Sequence, residues 1–282
     1  MKTISLTNIA LTLSLIYSAT VSAQRSPVME DYLECLPRNL ELVENSPHKY
    51  LMTVEYFNKD IYGNLRNKIK VTGEYTRGFK DKHVLWNNVY FSQSNSKTGP
   101  YTDKTRQDYM ENFSYTPSSN IVQESFFETF DNSPVNIHAR NLIWDMTPIE
   151  AFAWNYFDSL QLNKTYIVPD IQGSFDLADI GTYDHTTIEL TWIGISMMNN
   201  TLCAVIEYRA LENKLDIQTD FMNSKGSESY WGKTWVSLEN KQIEYAEMYS
   251  NTIQEMEIDG LDNNMLISTT RTLTVERIKQ IM

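Results

Sequence analysis

Cysteine is scarce, with two residues among 282. Two thiols cannot build a disulfide scaffold or a four-sulfur metal site. Runs of lysine and arginine are missing, and the formal net charge is −12. No phosphate-tracking stripe can form, so neither nucleic acid nor an anionic membrane surface is an expected partner. Past the N-terminus no apolar run approaches the roughly 18 residues of a spanning helix. Proline is absent after Pro169, although the chain holds eight. A proline-free stretch of this length suits a continuous hydrogen-bonded sheet, because proline removes a ladder donor. The catalytic motifs G-x-S-x-G, Walker loop, G-x-G-x-x-G and H-E-x-x-H are missing too. Gly194-Ile195-Ser196 lacks the closing glycine and reads as a strand end.

Met1–Ala23 has the parts of a secretory signal. Lys2 gives the positive start, Ile4 to Ala19 the apolar middle, and Val21-Ser22-Ala23 the small residues of a cleavage site before Gln24. The chain is therefore expected to be exported, periplasmic or extracellular, with no transmembrane anchor once the signal is cleaved. Export puts Cys35 and Cys203 in an oxidising compartment. Spacing leaves two readings, a disulfide between them or two unpaired thiols, one of them buried in a strand.

Residues 24–47 form a lead-in broken by Pro27, Pro37 and Pro47. From His48 the hydrophobic period becomes two. Tyr50, Met52, Val54 and Tyr56 share one face, and Ile69, Val71 and Tyr75 another. Val84 to Phe91 reads as a buried strand. Asp103 to Tyr115 and Asn120 to Phe130 are weaker strand candidates. Thr147-Pro148-Ile149-Glu150 matches a capping box, and an apolar face follows through Ile149, Phe152, Ala153, Tyr156, Phe157 and Leu160. The spacing predicts one amphipathic helix over about 148–160. Further strands are expected at Tyr183–Ile193, Leu202–Leu211, Lys214–Phe221, Ser229–Leu238, Gln242–Ile258 and Met265–Arg277. The fold class is mostly β: an antiparallel curved sheet, half-barrel or sandwich, with the helix packed on it. The β-rich region 48–282 is either one domain or two halves split near residue 147.

His48, His83, His138 and His185 are isolated and lack ligand spacing, so no metal is expected. Asp170, Asp176, Asp179 and Asp184, and the Asp259–Asn264 segment, read as solvated turns. No cofactor is expected. The aromatic load is high, with 17 Tyr, 11 Phe and 6 Trp. Trp86, Trp154, Trp192, Trp231 and Trp235 are candidates for lining an apolar ligand cavity, with core packing as the plainer account of any one of them. Trp231 and Trp235 straddle Gly232 and fall on the same strand face.

The helix, then Leu162-Asn163-Lys164-Thr165-Tyr166, then a meander holding Gly232-Lys233-Thr234-Trp235-Val236-Ser237-Leu238-Glu239, resemble a family of exported bacterial β-rich proteins. The order is also loosely similar to the half-barrels of periplasmic lipoprotein carriers. The resemblance covers roughly residues 147–275. It implies an envelope protein with a concave sheet and a helix across it, and carries over no catalytic residue. The leading expectation is a non-enzymatic protein binding an apolar or lipid-like ligand. The alternatives are an envelope scaffold that binds a protein partner without a cavity, and a hydrolase with dispersed carboxylates.

Overall fold

The computed structural model describes residues 36–278, apart from 38–39, 45, 81, 131–134, 170–172, 179, 221 and 263. The expected signal segment 1–23 and Cys35 lie outside the described residues, as do Asp170 and Asp179.

Two-residue alternation builds the molecule. Strand β1 (His48–Asp60) buries Tyr50, Met52, Val54 and Tyr56, as the pattern predicts. Strand β2 (Leu65–Arg77) buries Ile69, Val71 and Tyr75. Strand β3 (Val84–Ser94) buries Val84 and Trp86, then Val89 and Phe91. Asn88, at φ 51°, sits between these pairs and offsets the alternation by one, so β3 has one buried face. Strands β4 (Thr102–Arg106) and β5 (Phe113–Tyr115) are short. After the helix come β6 (Thr165–Ile167), β7 (Gly173–Asp176), β8 (Gly181–His185) and β9 (Ile188–Met198). The long strands β10 (Thr201–Thr219), β11 (Met222–Ser237), β12 (Ile243–Ile258) and β13 (Met265–Ile278) complete the chain.

These strands form one open, curved antiparallel sheet of 13 strands. Its spine runs β4-β3-β2-β1-β13-β12-β11-β10-β8-β7, with β5 on β3, β9 on β10 and β6 on β9. The expected strands Leu202–Leu211 and Lys214–Phe221 are joined in the single strand β10. A bulge between Ala210 and Asn213, with Glu212 at φ 60°, carries the chain through. Before the bulge β10 bonds β9; after it, β8.

The helix differs from the expected 148–160. Helix α1 spans Asn136–Trp154, with Pro148 inside it, and a separate 3-10 turn follows at Phe157–Ser159. Thr147 is mid-helix, and its Oγ1 donates to the Ile143 carbonyl at 3.1 Å, so its side chain bonds backwards and caps nothing ahead. Glu150 is not a capping partner but is committed to Tyr75 and Arg77 of the sheet. Ala139, Leu142, Ile143, Met146, Ile149 and Ala153 recur at three and four residues and form the face buried on the concave side. Gly73 of β2 makes room there: a Cβ would meet Leu142 and Trp86 at 3.3 Å and Val89 at 3.1 Å.

The Asn120–Phe130 segment is also not a strand. It forms 3-10 turns at Ser119–Val122 and Glu124–Phe127. A strand would send alternate rings outward, whereas here Phe126, Phe127 and Phe130 gather against Phe113, Tyr115 and Trp144. Helix, aromatic knot and sheet thus enclose one continuous core.

Candidate ligand-binding face

The strand register divides the concave face into rows running across the sheet. The rows Met52–Val275–Ala246–Thr234–Ile206 and Val54–Leu273–Met248–Gly232–Tyr208 are fully buried. Helix α1 makes its contacts here and on the next row. Phe152 packs on Tyr208, Asn141 donates to Tyr56 at 3.2 Å, and Asp145 pairs with Arg271. His138 is pressed between Tyr56 and Phe91, and this burial, with Arg271 close by, lowers its pKa to about 4.

One row further out the face turns polar: Asn67, Asn58, Thr269, Thr252, Glu228 and Asn213 lie in register across five strand pairings. Thr269 Oγ1 donates to Asn58 Oδ1, and Asn58 Nδ2 to Asn67 Oδ1, each at 2.7 Å. At the other end Tyr183 donates its hydroxyl to Glu228 Oε2 at 2.9 Å, and Thr252 reaches Oε1 at 3.5 Å. Beyond this girdle the inward positions hold Asp60, Thr219, Ser224, Gly226 and Gln254, interspersed with the apolar Leu215, Ile217, Met222, Met256, Ile258, Met265 and Ile267. The apolar ones are half-buried, whereas outward neighbours such as Ile253, Glu255 and Glu257 are exposed. This distal face carries apolar side chains around a Ser224–Gln254 hydrogen bond, and lies outside the reach of the α1 contacts described above.

Glu228 is the chemically distinctive member. Burial raises its pKa, while hydroxyls of Ser250, Tyr183 and Thr252 favour the charged form. No ion pair reaches it among the described residues. Around it His185 lies 4.8 Å from Tyr183, 5.4 Å from Phe175 and 6.1 Å from Tyr230, ring centre to ring centre. Burial pushes the His185 imidazole down to about 4, so it is neutral near pH 7. The Tyr230 hydroxyl and His185 Nδ1 are buried and make no hydrogen bond among the described residues.

The other buried charges are tied into the fold. Arg77 binds Glu150 at 2.7 Å and Glu44 at 2.5 Å, and lies over the Trp154 ring. Tyr75 donates to Glu150 at 2.6 Å. Arg277 pairs with Glu244 and contacts His48 at 3.2 Å. Among the described residues no group of three or more His, Cys, Asp or Glu could hold a metal, and no helix is long and apolar enough to cross a membrane. Two shallow depressions lie on the sheet: one of about 240 Å³ between β8, β10 and β11, lined by residues such as Asp184 and Lys225, and one of about 410 Å³ between β7, β8 and β10, lined by residues such as Asp176 and Gln218.

The five candidate tryptophans do not share a surface. Trp86 and Trp192 are wholly buried in the core. Trp154 ends α1, donating Nε1 to the Lys241 carbonyl at 2.7 Å. Trp231 and Trp235 share a strand face as expected, but it is the outer one, where they pair with Tyr249 and Tyr245. Cys203 is buried, its Sγ 3.5 Å from the Thr201 carbonyl. Sequence reasoning passed over Glu228, Tyr183 and the Asn–Thr girdle. The only signal was parity: these polar residues stand at positions that alternation assigns to the inner face.

No protein-family model matches the chain, and no curated protein matches it significantly. Three solved structures are similar. A lipovitellin structure concerned with lipid–protein interactions aligns over 83% of this chain and 25% of its own, at 12% identity and a TM-score of 0.40. A Nitrosomonas europaea protein provisionally named AttH aligns over 87% and 56%, at 10% identity and a TM-score of 0.28. A DUF1329 family protein of Desulfovibrio piger aligns over 85% and 89%, at 9% identity and a TM-score of 0.15. The chain thus spans about a quarter of the lipovitellin chain and just over half of the Nitrosomonas one.

Proposed function

We propose that this is an exported, non-enzymatic binding protein that takes an apolar, lipid-like ligand on the distal part of its concave face. One observation carries the reading. The inward row Met265–Met256–Ser224–Ile217, with Ile258, Met222, Leu215 and Ile267 beside it, keeps apolar side chains half-exposed on the hollow side of the sheet. Methionine and isoleucine there offer a deformable surface that gains free energy when an acyl-like chain displaces water. The girdle behind them supplies hydrogen-bonding groups that would orient a polar end.

The test is native mass spectrometry of the purified protein, before and after organic extraction. A stoichiometric extra mass that extraction removes is the expected result. A bare protein mass, together with no binding of lauric acid or phospholipid by calorimetry, overturns the reading.

A further inference from the structure

We propose that Glu228, together with Tyr183 on its carboxylate and the Tyr230, His185 and Phe175 rings that lead from it to the rim, forms a subsite for a positively charged amine, an ammonium or quaternary ammonium group, at the inner end of the distal face. This deepens the binding reading above and rests on it.

Among the described residues the groups that face the Glu228 carboxylate are neutral hydroxyls: Tyr183 and Thr252 bond it, and Ser250 lies beside it. A carboxylate desolvated without a counter-charge is costly, and an external cation offsets that cost best. The neighbouring charges do not supply one. Arg271, diagonal to Glu228 across β12, is committed to Asp145. Lys214 and Lys225 fall on the outer parity of their strands, Lys225 pairing with Asp216. His185 is held neutral by burial.

The surroundings match the same ligand. Phe175, Tyr183 and Tyr230 each place a ring against His185, on the inner parity of β7, β8 and β11. Aromatic faces attract ammonium groups, most strongly where water is excluded. Tyr230 is 7% exposed, and its unpartnered hydroxyl offers a lone pair at the same spot. Glu228 is itself partly accessible; the next inward row holds Leu215, Gly226, Gln254 and Ile267, and Met256 and Ile217 follow one row further out. An amphiphile with a cationic head and an acyl-like tail fits both halves.

The test compares two amphiphiles of equal chain length by titration calorimetry on the full mature protein: dodecyltrimethylammonium below its micelle concentration, and lauric acid. The wild type is expected to prefer the cation. Glu228→Gln should cut that preference about tenfold or more. Glu255→Gln removes the same charge from the outer face and should leave it unchanged. Phe175→Leu, at the exposed rim, should weaken cation binding about two- to fivefold. It also keeps the test valid if Glu228→Gln perturbs folding, which a thermal melt reports. Equal losses in Glu228→Gln and Glu255→Gln, or no loss in Glu228→Gln and Phe175→Leu, overturn the subsite while lauric acid binding leaves the face reading standing. Binding of neither amphiphile overturns both. Tetramethylammonium chloride as a competitor separates the sources. Displacement by it identifies a free amine as the occupant, and cation binding that only the alkylated probe shows identifies a lipid headgroup.

Discussion

The hydroxyl of Tyr208 crosses the backbone of Gly232 to donate to the Glu247 carbonyl at 2.8 Å. A Cβ at residue 232 would lie 2.0 Å from that carbonyl and 2.6 Å from the hydroxyl. The first obstacle is backbone and cannot rotate away. Gly232→Ala should therefore destabilise the protein by about 3 kcal/mol, read as a lower denaturant midpoint. Adding Tyr208→Phe removes only the softer clash, so the double variant should recover little. Near-full recovery would show that the β11–β12 ladder yields at this point.

Glu150 links α1 to the sheet through Tyr75 and Arg77. Glu150→Leu leaves the Arg77 guanidinium with Glu44 as its remaining carboxylate and takes the acceptor from the Tyr75 hydroxyl, and a loss of about 1–3 kcal/mol is expected. Combining it with Arg77→Met should restore much of the loss, because an apolar pair of similar volume avoids desolvating two ions. A double-mutant cycle measures the difference, and strict additivity would show that the two residues are not coupled.

His138 gives a pH dependence with a definite sign. Burial holds its folded pKa at about 4, below the ordinary value of 6.5. Between these values the unfolded chain takes up a proton that the folded chain refuses. Stability contributed by this residue is therefore full above pH 6.5 and is lost as pH falls toward 4, at up to about 1.4 kcal/mol per unit. His138→Phe keeps a ring between Tyr56 and Phe91, and its unfolding free energy should fall less steeply over that window. Identical slopes in both proteins would contradict the burial of this imidazole.

Glu228 acts in the opposite sense. Its raised folded pKa means that stability is lost as pH rises through and above the ordinary carboxyl range. Glu228→Gln should stabilise the ligand-free protein at about pH 8, and the gain should close toward about pH 4, where the unfolded carboxyl is also protonated. A group that lowers stability when empty is what a binding site is expected to hold.

Met256 and Ile253 are near neighbours on β12 with opposite parity. Met256→Arg puts a charge on the distal concave face, and should weaken lauric acid binding about tenfold or more. Ile253→Arg puts the same charge on the outer face, and should leave binding intact. Calorimetry on both variants decides between the faces.

Much of the sheet was legible because alternation is local. Tyr50, Met52, Val54 and Tyr56 announce both strand and buried face without knowledge of any partner. The helix was misplaced because Thr147-Pro148-Ile149-Glu150 imitates a helix start. Only the distant Arg77 and Tyr75 show that Glu150 points into the sheet. The candidate site was hidden for a similar reason. Glu228 looks like any strand glutamate until Tyr183 and Thr252 are brought to it from 45 and 24 positions away. The tryptophans drew attention by their size, but burial of Trp86 and Trp192 and the outward turn of Trp231 depend on register, which composition does not encode.

The bulge in β10 leaves the sheet with a forked margin, one branch through β9 to β6 and the other through β8 to β7. A fork doubles the length of unpaired backbone at that side and so the risk of chains zipping together. Both branches end in strands of three or four residues, Thr165–Ile167 and Gly173–Asp176. The opposite margin ends in the exposed strand Thr102–Arg106, which carries Asp103, Lys104 and Arg106. These short or charged end strands give an incoming strand little to pair with at the branch tips, while the hollow face keeps apolar surface in reach of a ligand.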